Sequence, residues 1–330
     1  MSKKVVGIAM GGHSSEREIS LKSGQTVYEN LSPSQWEVYK IIVDKNHWIV
    51  ADRDGQTSPL DLDDFTFKIG GKTRRLDVLF NAIHGAPGEN GELAKKLENG
   101  NIPQTGCDSH SAALTFDKRA CLEKVKTWNI PVAASCAFDR GDAIDPEKII
   151  EKVGLPCFVK PNRSGSSFGI VKVYHKKDLE KAIHTALKED GELLIESALV
   201  GKEISVGAYN DRGKIVVLPI TEIISENDFF DYDAKYNGKS QEITPAKLDE
   251  ITLEKVQTMV KKIYQNLELK GICRSEFILV DGIPHLLEVN TIPGLTTASL
   301  IPQQLQAAGI PLAKFFETLL TQALITAPPE

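Results

Sequence analysis

The sequence predicts an α/β chain with an open parallel sheet of Rossmann-like type at the N-terminus, followed by two α+β units. Three patterns carry the prediction. Strand and helix periods alternate through the first third of the chain. Leu76–Ile83 is a near-continuous apolar run, as a parallel strand covered on both faces requires. Beyond residue 116 short apolar runs follow one another through glycine loops and tight turns, with few helices between them. The 330 residues are enough for two or three domains with cores of their own. The expected divisions are 1–116, 117–196 and 197–330.

In chain order, Val5–Met10 reads as the first strand and Gly11–Ser15 as a loop. A helix should follow, with Ser15 and Glu18 at capping-box spacing. Val38–Val43 is a second strand and Leu76–Ile83 a third. His84–Gly91 is a glycine-rich loop and Glu92–Asn99 a short helix. Ligands of open α/β sheets bind beyond the carboxyl ends of the strands, where both glycine loops fall. Asp117 can cap a helix reaching Trp128, with Pro131 just beyond. Strands at Cys157–Lys160, Ile170–Val173 and Leu193–Glu196 and a helix at Asp178–Leu187 complete the middle unit. Strands at 203–209 and 214–220, a polar-aromatic loop at 225–245 and a helix at 248–267 open the last one. That helix carries an apolar stripe of Ile251, Val256, Val260, Ile263 and Leu267.

The net charge of −6 lacks the basic surplus of a nucleic-acid binder. No apolar run reaches the length of a membrane span. The stretch Ser2–Met10 is too short in its apolar part for a secretion signal and reads as a strand. Five cysteines, an odd number with no Cys-x-x-Cys pair, fit small core residues of a reduced cytosolic protein.

The chemistry concentrates at 274–290. Arg274-Ser-Glu276, an apolar run, Asp281-Gly282, a second apolar run and Glu288-Val-Asn290 read as a β-hairpin. Alternation puts Arg274 and Glu276 on one face of their strand, and Glu288 and Asn290 on one face of theirs. A three-residue loop at 281–283 would set Glu276 opposite Glu288 and Arg274 opposite Asn290. Facing carboxylates repel unless a cation or proton lies between them. Such an oxygen-rich patch suits Mg²⁺, which takes one or two carboxylates and completes its shell with water and phosphate oxygens.

Lys160-Pro-Asn-Arg-Ser-Gly-Ser-Ser-Phe-Gly169 joins strand to strand and so is not a P-loop. Its glycine turn, serine hydroxyls and root lysine can cradle phosphate, or can be an ordinary glycine hairpin. Glu196 and Glu203 bracket a turn and can take ribose hydroxyls or an adenine amine, or can simply be solvated. Lys118, at a helix start, can reach a phosphate or can simply be solvated.

Taken together these residues resemble the ATP-grasp ligases and, within them, the D-alanine:D-alanine ligases. The resemblance covers nearly the whole chain. It rests on Gly11-Gly-His-Ser-Ser-Glu-Arg-Glu-Ile-Ser20, His84-Gly-Ala-Pro-Gly-Glu-Asn-Gly91, Lys160-Pro-Asn-Arg-Ser-Gly-Ser-Ser167, Ala234-Lys-Tyr236 and Glu288-Val-Asn-Thr-Ile-Pro-Gly294, in family order and spacing. It implies an ATP-grasp fold in which two α+β domains clasp ATP. It also implies ligation of two D-alanines through an acyl phosphate, for peptidoglycan precursors, by a cytoplasmic homodimer. Carried over residue by residue, Lys118 and Lys160 would contact ATP phosphates, Glu196 and Glu203 the adenine and ribose end, and Ser166, Ser167 and Lys235 would also belong to the ATP site. Glu276, Glu288 and Asn290 would hold two Mg²⁺ ions, with Mn²⁺ able to substitute. Glu16 would bind the ammonium of the first D-alanine. Ser166 and Tyr236 would join Glu16 in orienting substrate, and Arg274 would stabilise the tetrahedral oxyanion. Gly294, Ser299 and the Leu300 backbone would receive the second substrate, with His84 nearby. The 225–245 loop would be a lid.

Three positions depart from the family pattern. Glu276 stands where aspartate is usual, Asn90 replaces the aspartate of Gly-Glu-Asp-Gly, and Asn101-Ile-Pro-Gln-Thr-Gly106 varies a common Pro-Tyr-Thr-Gly. Tyr236 matches the residue of enzymes that add an amine rather than D-lactate. The alternatives are an ATP-grasp ligase with another acceptor, or a nucleotide-binding protein without turnover. A dinucleotide-dependent dehydrogenase would need Gly-x-Gly-x-x-Gly at the first turn, and Gly11-Gly-His-Ser14 does not supply it.

Overall fold

The computed structural model describes residues 3–45, 47–165, 167–225 and 240–325. Ser166, Lys235, Tyr236 and most of the expected lid lie outside the described residues. The first sheet has the order β4 (Thr57–Pro59), β3 (Trp48–Ala51), β2 (Trp36–Val43), β1 (Lys4–Gly11) and β7 (Val78–Asn81). β1 runs parallel to both β2 and β7, which is the parallel core expected. β3 and β4 extend it antiparallel at one edge, and β5 (Thr66–Ile69) with β6 (Lys72–Arg75) forms a separate hairpin. Helix α1 (Arg17–Asn30) covers one face and α2 (Glu92–Asn99) follows the second glycine loop.

After α2 come α3 (Ser109–Phe116) and α4 (Lys118–Lys126), then a second sheet. Its order is β10 (Val171–Val173), β9 (Cys157–Pro161), β11 (Glu192–Ser197) and β8 (Ser135–Asp139), backed by α5 (Pro146–Val153) and α6 (Leu179–Glu189). The third sheet runs β15 (Ser240–Ile243), β14 (Thr221–Ser225), β12 (Lys202–Asp211), β16 (Ile272–Val280) and β17 (Ile283–Asn290), with β13 (Lys214–Val217) on β12. One face of it carries Ile204, Val206, Ala208, Cys273 and Phe277 and packs on α3, α4 and α7 (Glu250–Asn266). The other face turns Glu203, Glu276 and Glu288 toward the cleft, while at its far end Tyr209 and Ile272 pack into the core formed with the last helices.

The last helices, α8 (Leu300–Ala307) and α9 (Leu312–Ile325), return to the first sheet. Phe315, Phe316 and Leu319 pack on Val6, Ile8 and Phe80, with the Phe80 and Phe316 rings edge to face at 5.5 Å. The chain from Thr291 to Ser299 therefore crosses from the third sheet to the first, beside both glycine loops.

Three expectations need correction. Helix α1 starts at Arg17 and Glu16 takes the cap position without a side-chain cap bond. The Ser15–Glu18 box does not form, because Ser14 Oγ takes the Glu16 N–H at 3.2 Å and itself donates to His84 O at 2.9 Å. Ile251 is 68% exposed, and Thr252 takes the buried place in the stripe of α7. The hairpin turn is Asp281-Gly282 alone, both with positive φ (50° and 73°), as a type I′ turn requires. A bulge at Leu287 then restores the anticipated register, with Glu276 opposite Glu288 and Arg274 opposite Asn290. All five cysteines are free, and Cys136 alone is not fully buried.

Candidate active site

The cleft begins between the second and third sheets. Along β9, Cys157 and Val159 point into the core, leaving Phe158 and Lys160 on the open face. Glu196, on the neighbouring β11, lies opposite Phe158 on that same face. Lys160 Nζ sits 2.7 Å from Glu196 Oε2, and both side chains are nearly buried. Burial alone would push the lysine pKa down. Glu196, with Glu288 and Glu203 behind it, outweighs that and holds it above the ordinary value.

Across the gap β12 presents Glu203 to the cleft, with Ser205 buried and Gly207 covered by Ile301 and Gln304 further along the same face, and β16 pairs with it so that Ser205 faces Glu276 and Gly207 faces Arg274. Lys160, Ser167, Glu196, Glu203, Glu276 and Glu288 all line one cavity of about 530 Å³, whose apolar walls include Phe158, Ile278 and Leu287. That size suits a nucleotide-scale ligand.

Helix capping delivers Lys118. Asp117 accepts the Ala120 N–H, which starts α4 at Lys118, and also pairs with Arg163 of the flap root at 2.6 Å. Lys118 Nζ then donates to Ser164 O at 2.6 Å and lies 3.6 Å from Glu288 Oε2. Arg274 Nη1 donates to Ser205 Oγ at 3.1 Å and is tightly paired with Glu276. Asn290 Nδ2 is 3.4 Å from Glu288 Oε1.

The second part of the site lies toward the first sheet. Gly165 of the flap stands so close to the Glu16 carboxylate that an added Cβ would collide with it. Flap and first-sheet loop therefore meet at the proposed ammonium site. His84 is buried. Its Nδ1 is 2.7 Å from Ile292 O, a carbonyl that can only accept, so Nδ1 carries the hydrogen. Nε2 then accepts from Ser23 Oγ at 2.9 Å, and Ser23 Oγ accepts the Leu295 N–H at 3.2 Å. Burial holds the imidazole pKa below its ordinary value, although the Glu16 charge works against that.

Sequence reasoning passed over Glu89, the carboxylate of the same glycine loop. Its two oxygens accept the Gly85 N–H at 2.7 Å and the Ile292 N–H at 3.3 Å. Burial, aided by the Glu16 charge, pushes it up to about 8, against the pull of those two N–H groups. A lone carboxylate amid glycines was the available signal. His84 and Glu89 thus grip both sides of Ile292. Beyond it, an added Cβ on Gly294 would meet Ser299 Oγ at 2.7 Å. Ser299 Oγ pairs with Thr296 Oγ1 at 2.7 Å and makes no cap bond to α8. The α8 N-terminus, with the Leu300 N–H, is thereby left for another acceptor.

The chain matches two family models, "D-ala D-ala ligase N-terminus" over residues 5–107 and "D-ala D-ala ligase C-terminus" over residues 125–321. A D-alanine–D-alanine ligase of Flavobacterium johnsoniae is 50% identical over 97% of this chain and 99% of its own length. The chain belongs to the D-alanine–D-alanine ligase family. Another member, from Christiangramia forsetii, is 47% identical over 98% of this chain and 99% of its own. Among solved structures, the D-alanyl-alanine synthetase A of Vibrio cholerae superposes with a TM-score of 0.88 at 29% identity, covering 99% of this chain and 100% of that one. A Bacillus anthracis D-alanine–D-alanine ligase complexed with ATP gives 0.81 at 28% identity, covering 99% of each chain. This member of the family therefore has the ATP-grasp fold, and the two clasping sheets of that fold are the ones that carry Lys160 and Glu276. Among the described residues no helix is long and apolar enough to cross a membrane.

Proposed function

We propose that the protein joins two D-alanines at the expense of ATP, giving D-alanyl-D-alanine, ADP and phosphate for peptidoglycan precursors. The observation that carries this is the convergence on one cavity of Lys160, Glu196, Glu276 and Glu288, with Arg274 at its inner edge. ATP would enter between the second and third sheets. Its phosphates would face Lys118, Lys160 and Ser167, and its adenine and ribose Glu196 and Glu203. Each lysine is now paired with a carboxylate, so the arriving polyanion exchanges one partner for another and need not find an isolated cation.

Metal fits the same patch. Glu276 and Glu288 face each other in the ladder with Asn290 beside them, and each carboxylate already has a cation, Arg274 or Lys118. Two carboxylates and an amide are fewer than a full shell. Accordingly, among the described residues no group of three His, Cys, Asp or Glu side chains is placed to hold a metal ion. Bound there, Mg²⁺ or Mn²⁺ would supply charge neutralisation for the phosphates.

Glu16 would hold the ammonium of the first D-alanine while its carboxylate attacks the γ-phosphate and becomes an acyl phosphate. The flap at Gly165 closes over that end and excludes water. The second D-alanine, its carboxylate at Ser299 and the Leu300 N–H, attacks the acyl carbonyl. Arg274 stabilises the oxyanion, a role worth about 10²–10³ in rate, and phosphate leaves.

The test is phosphate release with ATP, Mg²⁺ and D-alanine, together with dipeptide detection. Release only with a different acid or amine would make the protein another carboxylate–amine ligase. Tight ATP binding without turnover on any acid would leave a nucleotide-binding protein. The resemblance also carries the expectation of three domains divided at 116 and 196, and of a cytoplasmic homodimer; light scattering of the purified protein tests the dimer.

A further inference from the structure

The ligation above leaves one chemical demand without a residue. The second amino acid arrives as an ammonium and must attack as a free amine. We propose that Glu242 is the general base of this half-reaction, taking a proton from the acceptor's ammonium group. The proposal rests on the ligase reading of the site.

A strand pairing, a hydrogen bond and a nearby charge locate the Glu242 carboxylate. On β15 it lies opposite Ile223 of β14, so the two side chains share a face of the sheet, and Ile223 packs on Leu300. Glu242 Oε2 accepts from Gln303 Nε2 at 2.5 Å, and the same Nε2 donates to Ala298 O at 3.0 Å. The carboxylate is therefore tied to the 298–303 segment at the N-terminal end of α8, where the acceptor's own carboxylate would bind. On the inner side, Arg274 is near enough for its charge to act on Glu242. An amine anchored through its carboxylate at Ser299, and attacking a carbonyl whose oxygen is held by Arg274, lies between those two groups. Glu242 is a carboxylate bonded through Gln303 to the segment that carries the first and within reach of the charge of the second.

Its environment suits the task. Burial raises the Glu242 carboxyl above the ordinary carboxylate range, while the Gln303 bond and Arg274 draw it back. A raised carboxyl is closer in basicity to the amine it must relieve. Neither Glu242 nor Gln303 has another task in the site as described.

The step balances. Glu242 takes one proton from the ammonium nitrogen. The freed lone pair forms the C–N bond at the acyl-phosphate carbonyl carbon, and the carbonyl π pair moves onto oxygen beside Arg274. The carbonyl then re-forms, the bond between carbon and the phosphate oxygen breaks, and phosphate leaves with that pair. The second nitrogen proton goes to the departing phosphate, and the proton on Glu242 is released to solvent.

The experiment compares two products of one acyl phosphate. Hydroxylamine is neutral at about pH 7 and traps the acyl phosphate as a hydroxamate without a base, whereas D-alanine needs one. Glu242→Gln keeps an oxygen for Gln303 to donate to. With ATP, Mg²⁺ and D-alanine this variant should lose about 10²–10⁴-fold in dipeptide formation. Hydroxamate formation should stay within a few-fold of wild type, and dipeptide formation should recover as the pH rises toward that of the free amine. Glu242→Asp should recover part of the loss at neutral pH. An equal loss of both products, or no loss of dipeptide, overturns the proposal. Should Glu242→Gln be recovered unfolded, Gln303→Leu reads the same ratio after releasing the carboxylate from its partner; an unchanged ratio there also overturns it. If the wild-type protein gives neither product from D-alanine, the ligase reading itself fails, which is a separate outcome.

Discussion

At the nucleotide end of the cleft, side chains hold one another by charge: Lys160 on Glu196, Lys118 on Glu288, Arg274 on Glu276. At the substrate end, the loop 84–91, through His84 and Glu89, and helix α1, through Ser23, hold the 291–295 segment by hydrogen bonds to its backbone. The first arrangement can exchange partners when a polyanion and its metal arrive, because each cation already faces the cleft. The second cannot exchange without breaking the backbone contacts that fix the loop. A ligand that varies in charge through the reaction thus meets an adjustable lining, while the position of the attacking groups is set by a rigid one.

The largest effect should come from breaking the adjustable end. Lys160→Met leaves Glu196 buried and unpaired, and removing one partner of such a pair costs about 3–5 kcal/mol. Adding Glu196→Gln should restore much of the stability, though not ATP binding. Thermal melts and nucleotide titration of the single and double variants check both. If the double variant is no more stable than the single one, the pair is not what holds these strands together. Next in size is Arg274→Ala, with turnover expected to fall about 10²–10³-fold and ATP affinity little changed. Near-normal turnover would remove its oxyanion role.

The two ends also differed in how far the sequence disclosed them. The hairpin face was legible in halves, because alternation puts Arg274 with Glu276 on one strand and Glu288 with Asn290 on the other. The turn was not. Asp281-Gly282 forms a two-residue loop, and without the bulge at Leu287 it would have placed Glu288 on the opposite face from Glu276. The adjacent Leu286 and Leu287 were the only break in alternation to mark it. Lys118 was legible through its Asp117 cap. The substrate end was scarcely legible beyond the motif resemblance. Ser23, His84 and Glu89 act on residues some 200 or more positions away, and no local pattern encodes such partners. The same holds for Gln304. It is fully buried and bonds Ser205, Gly207 and Thr221, which keeps α8 against the strand that steadies Arg274.

A smaller effect should follow from pressing on the meeting point of the two ends. In Gly165→Ala the new methyl group would displace the Glu16 carboxylate, which stands against the glycine. The expected result is a higher KM for the first D-alanine, with loss of activity no greater than about 10²-fold. Binding of ATP alone should be unchanged. An ATP affinity that falls as much as the D-alanine affinity would mean that the flap serves the nucleotide end instead.

The finest test of the rigid end is its response to pH. Glu89 is raised from 4.5 to about 8, so between those values the folded protein binds a proton that the unfolded chain has lost. Its contribution to stability is full below 4.5 and is lost as the pH rises to about 8, with a slope of about 1.4 kcal/mol per pH unit for one proton. His84 is lowered from 6.5, so its contribution has the opposite sign: present above 6.5 and lost as the pH falls through the lowered value. Below 6.5 the two slopes therefore offset each other, and from 6.5 to about 8 only the Glu89 slope remains. The melting temperature of the wild type minus that of Glu89→Gln should decline from pH 4.5 to about 8 and level off above it, because the His84 slope is common to both proteins and cancels. The wild type's own melting temperature should carry the Glu89 slope only in the upper window, whereas in His84→Gln that slope should extend down toward 4.5, because nothing then offsets it. A difference curve that stays flat through the upper window would mean that Glu89 is ionised throughout, satisfied by the Gly85 and Ile292 N–H groups. The substrate end would then hold a fixed charge as well as fixed hydrogen bonds, and its contrast with the nucleotide end would be one of mobility alone.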